Sequence, residues 1–415
     1  MRHIQSRKIT ACRMCGSTQL VTAIDLGKSP LANAYVQKGN LKKKEKFYPL
    51  TVLFCKKCTL VQLSHVVNAQ TLFQNYLYVS STSPVFVEHF KEFAKDAKKR
   101  LRLKKGDLIV DIGSNDGILL KPFLTYHMRV LGIDPAKNIA PIARKNGVDT
   151  LVAFFSPRVA RNIVKKYGKA QLITATNAFA HIDNHTQLLE AVNILLEENG
   201  TYIIEAPYMI DFIQKKLFDL IYHEHLSYIS LAPLVPFVQK FGMRVVDAER
   251  VNSHGGSIRI FIQKESTTTP ISPRITQLLE LEKQLKLGKI STYKQFAKDI
   301  EKNKKDLLLL LARLKRNGKH IAGYGAPAKG NTLLNYFGIT RDMVEYIIDD
   351  SPLKQGLFTP GTHIPIISHE QSEKENTDYL LILAWNFADS IMKRLSQFKK
   401  SGGKFIIPVP HPKII

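Results

Sequence analysis

The chain has 415 residues, 44% of them hydrophobic, and a formal net charge of +25. That length suggests about two to four domains at ~100–200 residues each, and the ordinary hydrophobic content excludes a disordered or fibrous chain. No apolar run approaches the ~20 residues that cross a bilayer, and residues 1–8 carry charge with no apolar stretch behind it, so a cytoplasmic protein with neither signal peptide nor membrane span is expected. The lysines are scattered through residues 42–44, 98–100, 302–305 and 399–400. They form no Arg-rich stripe interleaved with aromatics, so nucleic acid is disfavoured as a partner, whereas a phosphate-bearing small substrate would profit from the positive field.

In chain order, residues 1–74 hold all four cysteines, Cys12 and Cys15 in one C-x2-C knuckle and Cys55 and Cys58 in another. Four thiolates close a tetrahedral zinc site with no open position, so the metal is structural. It is expected to replace a core that so small a segment lacks. Residues 75–83 form a polar and aromatic bridge containing Tyr76, and an amphipathic helix is predicted over 84–101.

The spacing then predicts a βα alternation, the mark of a doubly wound parallel sheet. Strands are expected at 108–110, 130–133, 148–154, 171–175, 201–204 and 244–248. Helices are expected at 118–126, 139–146, 157–167, 185–196 and 230–241. Between the first strand and its helix lies Asp111-Ile112-Gly113-Ser114-Asn115-Asp116-Gly117, a tight turn whose backbone must bend and admit a ligand closely. It is not the dinucleotide fingerprint G-x-G-x-x-G. It matches better the D-x-G-x-x-x-G turn of class I methyltransferases, which bind S-adenosylmethionine. Asp134 ends the next strand, where a carboxylate accepts ribose hydroxyls. Phe154 or Phe155 is placed to flank an adenine, or equally to be core.

After the fifth strand comes Tyr222-His223-Glu224-His225-Leu226-Ser227-Tyr228. Titratable side chains in such a row belong in a cleft, and loops after strand C-termini face the ligand crevice of a doubly wound sheet. The order is not H-E-x-x-H, which disfavours a zinc peptidase. Residues 251–415 are read as a separate domain. It opens with the glycine turn Ser253-His254-Gly255-Gly256-Ser257 and a strand at 258–263, continues through an amphipathic region at 275–317, and then restarts the βα pattern. Its loop Gly325-Ala326-Pro327-Ala328-Lys329-Gly330-Asn331 is no Walker A sequence. Lys329 and Asn331 stand where a loop meets a helix N-terminus, which suits phosphate, and Lys354 is a second candidate.

Taken together and in this order, the two knuckles, the Asp111–Gly117 turn, Asn177 with His181, Tyr222–His225, Ser253–Ser257 and the Gly325–Asn331 loop resemble the nucleotide-sugar C-methyltransferases, which methylate C-3 of dTDP-keto-deoxysugars. The resemblance spans essentially the whole chain. It implies an N-terminal zinc domain (1–74), a methyl-donor domain (75–250) and a C-terminal Rossmann-like domain that helps hold the nucleotide-sugar (251–415). It implies His225 as general base, Tyr222 and Glu224 orienting it or meeting the substrate's keto and hydroxyl groups, and Tyr76 and His181 donating to an enolate oxygen. Asp111, Gly113, Asn115, Gly117, Asp134 and Asn177 are implied at the cofactor, and Lys329, Asn331 and Lys354 at the substrate. A monomer or weak homo-oligomer is expected. The rival reading is a zinc-ribbon RNA or DNA methyltransferase, invited by the charge. Against it, Asn177-Ala178-Phe179-Ala180 is not [DN]-P-P-[YFW], and no cysteine is left over for a pyrimidine nucleophile.

Overall fold

The computed structural model describes residues 6–415, so the leader reading of residues 1–5 lies outside the described residues. The middle of the chain builds a seven-stranded sheet. From one edge to the other it runs Thr150–Val152, Arg129–Asp134, Leu108–Ile112, Ala170–Thr176, Leu196–Pro207, Ser257–Lys264 and Met243–Val251. The first five pair in parallel, whereas Ser257–Lys264 is antiparallel to both its neighbours. Leu108–Ile112 is buried along its whole length, as a central strand covered by helices on both faces must be. The helices Pro84–Arg100, Pro157–Tyr167 and His185–Leu195 supply that cover.

Two expectations are corrected here. The strand expected to open the C-terminal segment is inserted into this sheet beside Leu196–Pro207, so the unit does not end in the sequence at residues 244–248, although Met243–Val251 is its edge strand. The helix expected over 118–126 shrinks to Lys121–Leu124. Pro122 lacks an N–H and disfavours helical geometry in the residue before it, so it serves a helix start and not an interior. The preceding residues instead form a turn, with the Leu120 N–H donating to the Gly117 carbonyl.

The cysteine segment is not coreless. Its antiparallel strands Leu20–Ser29, Tyr48–Cys55 and Val61–Leu63 form a four-stranded sheet whose last member is Ser227–Tyr228, from the middle of the chain. Leu50, Val52, Phe54, Leu60 and Leu63 join the same continuous core as the large sheet. The expectation that a metal stands in for a missing core is therefore revised: burial against the rest of the protein supplies much of that stability.

The last part is a second α/β layer structure. Five parallel strands, Ile366–Ile367, Ile347–Ile348, Ile321–Tyr324, Tyr379–Ile382 and Lys404–Ile407, are followed by antiparallel Lys413–Ile414. The amphipathic region before it divides into helices Pro273–Gln284 and Ile290–Arg316. A short antiparallel pair, Leu357–Phe358 with Val36–Gln37, ties this domain to the cysteine segment. Among the described residues no helix is long and apolar enough to cross a membrane.

Candidate active site

One cavity of about 410 Å³ lies at the C-terminal ends of the parallel strands, where all three segments meet. Its floor is the Asp111–Gly117 turn. Gly113 has φ +74°, and an added Cβ would lie 2.7 Å from that of Ala178, so the position demands glycine. Asp134 organises the turn: its two oxygens accept from the Asn115 N–H (2.9 Å) and the Ala136 N–H (2.8 Å). Asn115 in turn locks the bridge before the long helix, accepting from the Ser80 N–H (3.0 Å) and donating to the Tyr78 carbonyl (3.0 Å). Asp111 accepts from the Thr174 hydroxyl (2.6 Å), and burial raises its pKa to about 7.

Of the residues expected at a cofactor, Asp111, Gly113, Asn115, Asp134 and Asn177 line the cavity. Gly117 does not. Its φ is +79°, and a Cβ there would strike Val148 at 2.8 Å, so its task is packing. Asn177 keeps a buried Oδ1 with no protein partner at the cavity wall. Phe154, 44% exposed, borders the cavity with Phe155. These groups suit an adenosyl ligand: a carboxylate for the ribose, aromatic edges for the base, and a glycine turn admitting close approach.

The opposite wall carries the titratable row. His225 Nδ1 lies 2.7 Å from the Leu220 carbonyl, which only accepts, so Nδ1 holds the hydrogen and Nε2 keeps its lone pair. Burial lowers the His225 pKa to about 4, so the ring is neutral at pH 7. His181 stacks on it at 5.0 Å between centroids, and burial pushes His181 well below its ordinary range; its Nε2 has no partner. Tyr222 lies 4.0 Å from the His225 ring, centroid to centroid, and Tyr76 also lines the cavity.

Glu224 departs from expectation. It does not line the cavity and does not orient His225. It accepts from the Tyr76 hydroxyl (2.8 Å) and the Asn33 amide (2.7 Å), and burial raises its pKa to about 7. It therefore holds Tyr76 in place. His223 points away as well, toward the Tyr48 carbonyl.

The C-terminal domain contributes Lys329 and Lys354 to the cavity wall. The Lys329 ammonium lies 3.7 Å from the Trp385 ring centroid and bonds Asn386, while burial lowers its pKa. Lys354 donates to the Ala326 carbonyl (2.9 Å). Asn331 is not at the cavity: its amide donates to the Ala32 carbonyl (2.7 Å), fastening the helix to the cysteine segment. The loop around Ala326 repeats the architecture of the first turn. Asp349 accepts from the Ala326 N–H (2.6 Å) and the Ser351 N–H (2.9 Å), as Asp134 does from Asn115 and Ala136. Here, however, the Tyr35 hydroxyl also bonds the Ala326 carbonyl.

Asn33, Asn386 and His254 border the cavity without having been singled out from the sequence. His254 has φ 51°, uncommon for a residue with a side chain, and its ring lies 4.8 Å from that of Phe86. Its position in a glycine turn was visible; that turn's proximity to the helix Pro84–Arg100 of the methyl-donor domain was not.

The sulfurs of Cys12, Cys15, Cys55 and Cys58 all lie within 4.8 Å of one another. Zn–S bonds of ~2.3 Å in a tetrahedron place sulfurs ~3.8 Å apart, so the donor set fits zinc. The turn, the antiparallel strand Ser257–Lys264 and the carboxylate that ends Arg129–Asp134 define a class I S-adenosylmethionine-dependent methyltransferase carrying a structural zinc domain. Family models bear this out along the chain: a zinc binding domain over residues 12–73, a methyltransferase domain over 86–248, and a C-methyltransferase C-terminal domain over 252–410. The chain is 36% identical over 409 residues to the C-methyltransferase NovU of Streptomyces niveus, covering 99% of this chain and 97% of that one. It belongs to that C-methyltransferase family. Among solved structures, a methyltransferase from Anabaena variabilis matches 42% of this chain and 84% of its own at 19% identity and TM-score 0.34. The CcbJ methyltransferase of Streptomyces caelestis matches 42% and 89% at 14% identity and TM-score 0.34.

Proposed function

We propose that the protein methylates carbon beside the ketone of a nucleotide-linked keto-deoxysugar, the reading in which C-3 of a dTDP-keto-sugar is the acceptor. The observation that carries it is the state of His225: a neutral imidazole, its Nδ1–H anchored and its Nε2 free, in a wall that also borders the methyl-donor turn. A ketone acidifies the neighbouring C–H, and His225 Nε2 takes that proton. Burial keeps the His225 ring unprotonated at neutral pH, so its Nε2 lone pair is available to take the proton. The enolate oxygen so formed needs a donor; Tyr222 offers its hydroxyl, whereas the single Tyr76 proton is already committed to Glu224, and one such donor is worth ~3 kcal/mol. S-adenosylmethionine supplies an electrophilic methyl group on sulfur. Glu224 fixes Tyr76, and the ammonium groups of Lys329 and Lys354 meet the diphosphate.

The test uses the keto-sugar in D2O without methyl donor. The wild-type protein should exchange the α-hydrogen. His225→Ala should lose exchange by about 100-fold or more, in line with general-base contributions, while calorimetry shows S-adenosylmethionine still bound. Unchanged exchange in that variant removes His225 from the base role. A thermal-shift comparison of dTDP-nucleotides with RNA separates this reading from a nucleic-acid methyltransferase, since only a true ligand stabilises by mass action.

A further inference from the structure

Arg13 lies inside the first cysteine knuckle, between Cys12 and Cys15, yet its side chain is only 3% exposed. Its Nε donates to Asp183 Oδ1 (3.0 Å), and its Nη1 donates to the Leu63 carbonyl (2.8 Å) and to Gln62 Oε1 (3.2 Å). The Arg13 backbone N–H reaches the same Gln62 oxygen (3.1 Å). One guanidinium thus bridges the knuckle, the strand Val61–Leu63 and a loop of the methyl-donor domain.

That loop is the one that carries His181. Asp183 follows it by two residues and borders the cavity. The same junction is stitched by the main chain: the Leu63 N–H donates to the Leu226 carbonyl (2.9 Å), and the Leu226 N–H to the Ala180 carbonyl (2.8 Å). Leu226 is the residue after His225. The strand gripped by Arg13 therefore pairs directly with the chain leaving His225, and the carboxylate gripped by Arg13 lies just beyond His181. The two rings stack on each other, so a shift of either backbone alters their overlap.

We propose that Arg13 is a positioning residue for methyl transfer, transmitting the geometry of the cysteine knuckle to the stacked His181–His225 pair. The proposal rests on the reading above that this pair serves the reaction. A planar fork is needed because three acceptors at different angles are held at once, which a lysine ammonium on a flexible stem does not reproduce. The zinc site then acts on the reaction without touching substrate: cysteines that hold the knuckle closed hold Arg13, and Arg13 holds the loop.

The experiment compares zinc-loaded wild-type protein with Arg13→Met and with Asp183→Ala, which removes the carboxylate that accepts from Arg13 and also pairs with Arg7, and leaves the residues of the knuckle unchanged. Zinc content, the imidazole resonances of His181 and His225 in histidine-labelled protein, and kcat against KM are measured. Both variants should keep zinc, move both ring resonances while leaving that of the distant His320 in place, and lower kcat about tenfold with little change in KM. The double variant should lose less than the sum of the two single losses, because the Arg13–Asp183 contact is broken in both. Should Arg13→Met fail to fold, Asp183→Ala decides alone. Unmoved His181 and His225 resonances, or additive losses, overturn the proposal. A protein inactive on keto-sugars sinks the functional reading instead, and the resonance arm still decides the role of Arg13.

Discussion

Glu224→Gln isolates the buried carboxyl that holds Tyr76. In the folded protein burial raises this group from an ordinary 4.5 to about 7. Between those values the native state binds the proton more tightly than the unfolded chain does. Its contribution to stability is therefore full below the unfolded pKa and is lost as pH rises through the folded one. A shift of this size corresponds to ~3 kcal/mol at 1.36 kcal/mol per unit. Glutamine cannot ionise, so the variant lacks this dependence. It also has one acceptor oxygen where glutamate has two, so either the Tyr76 hydroxyl or the Asn33 amide loses a partner, at about 1–3 kcal/mol. Urea unfolding at pH 5 and pH 8 should find the variant less stable than wild type at pH 5 and as stable as wild type or more stable at pH 8. The difference between the two proteins should move by ~2–3 kcal/mol, a quantity in which titrations common to both cancel. The same difference at both pH values would refute the assignment of a buried, proton-binding carboxyl at Glu224.

Other outcomes are equally checkable. Gly113→Ala should weaken S-adenosylmethionine binding by calorimetry and lower stability by about 1–3 kcal/mol, since the new methyl meets Ala178 at 2.7 Å in a left-handed backbone. Lys329→Met should raise the KM for the nucleotide-sugar more than tenfold and leave methyl-donor affinity within twofold; an unchanged KM removes Lys329 from the phosphate role. Chelating the zinc should lower the melting temperature of the whole protein in calorimetry, because the cysteine segment shares a sheet with Ser227–Tyr228. A separate early transition of residues 6–74 with the rest unaffected contradicts that sharing.

What was legible in the sequence was local. The Asp111–Gly117 turn, the paired knuckles and the helix Pro157–Tyr167 each rest on residues close in the chain, whose spacing announces their geometry. Helix Pro157–Tyr167 is bounded by the Ser156 side chain, which accepts from the Val159 N–H, and by Gly168 at positive φ. What was not legible joins distant residues. Asn33 meets Glu224 across 191 positions and Arg13 meets Asp183 across 170. No pattern in the chain marks these partners. The strand Ser257–Lys264 shows the same divide. Its existence followed from composition, but its place inside the large sheet depends on pairing with strands that precede it. One signal was available: Ile258, Ile260, Phe261 and Ile262 read as a strand buried on both faces, which belongs inside a sheet and not at the start of a new domain. Glu224 and Asn331 were sound polar candidates by residue type. Each turned inward because a carbonyl, an amide or a hydroxyl from another segment was there to meet it.

The doubled arrangement of Asp134 and Asp349 has a consequence for how the segments depend on each other. In the first turn the crevice beyond the carboxylate stays open. In the second, a tyrosine from the first forty residues and the ammonium of Lys354 already occupy the Ala326 carbonyl. The cysteine segment thus acts as a built-in tenant of a hollow that a free-standing domain of this shape would leave vacant. A severed fragment of residues 265–415 would lose the Tyr35 contact, and water would take the place of that hydroxyl at the Ala326 carbonyl. Cutting the chain would change how that loop is solvated as well as how firmly the last domain stands.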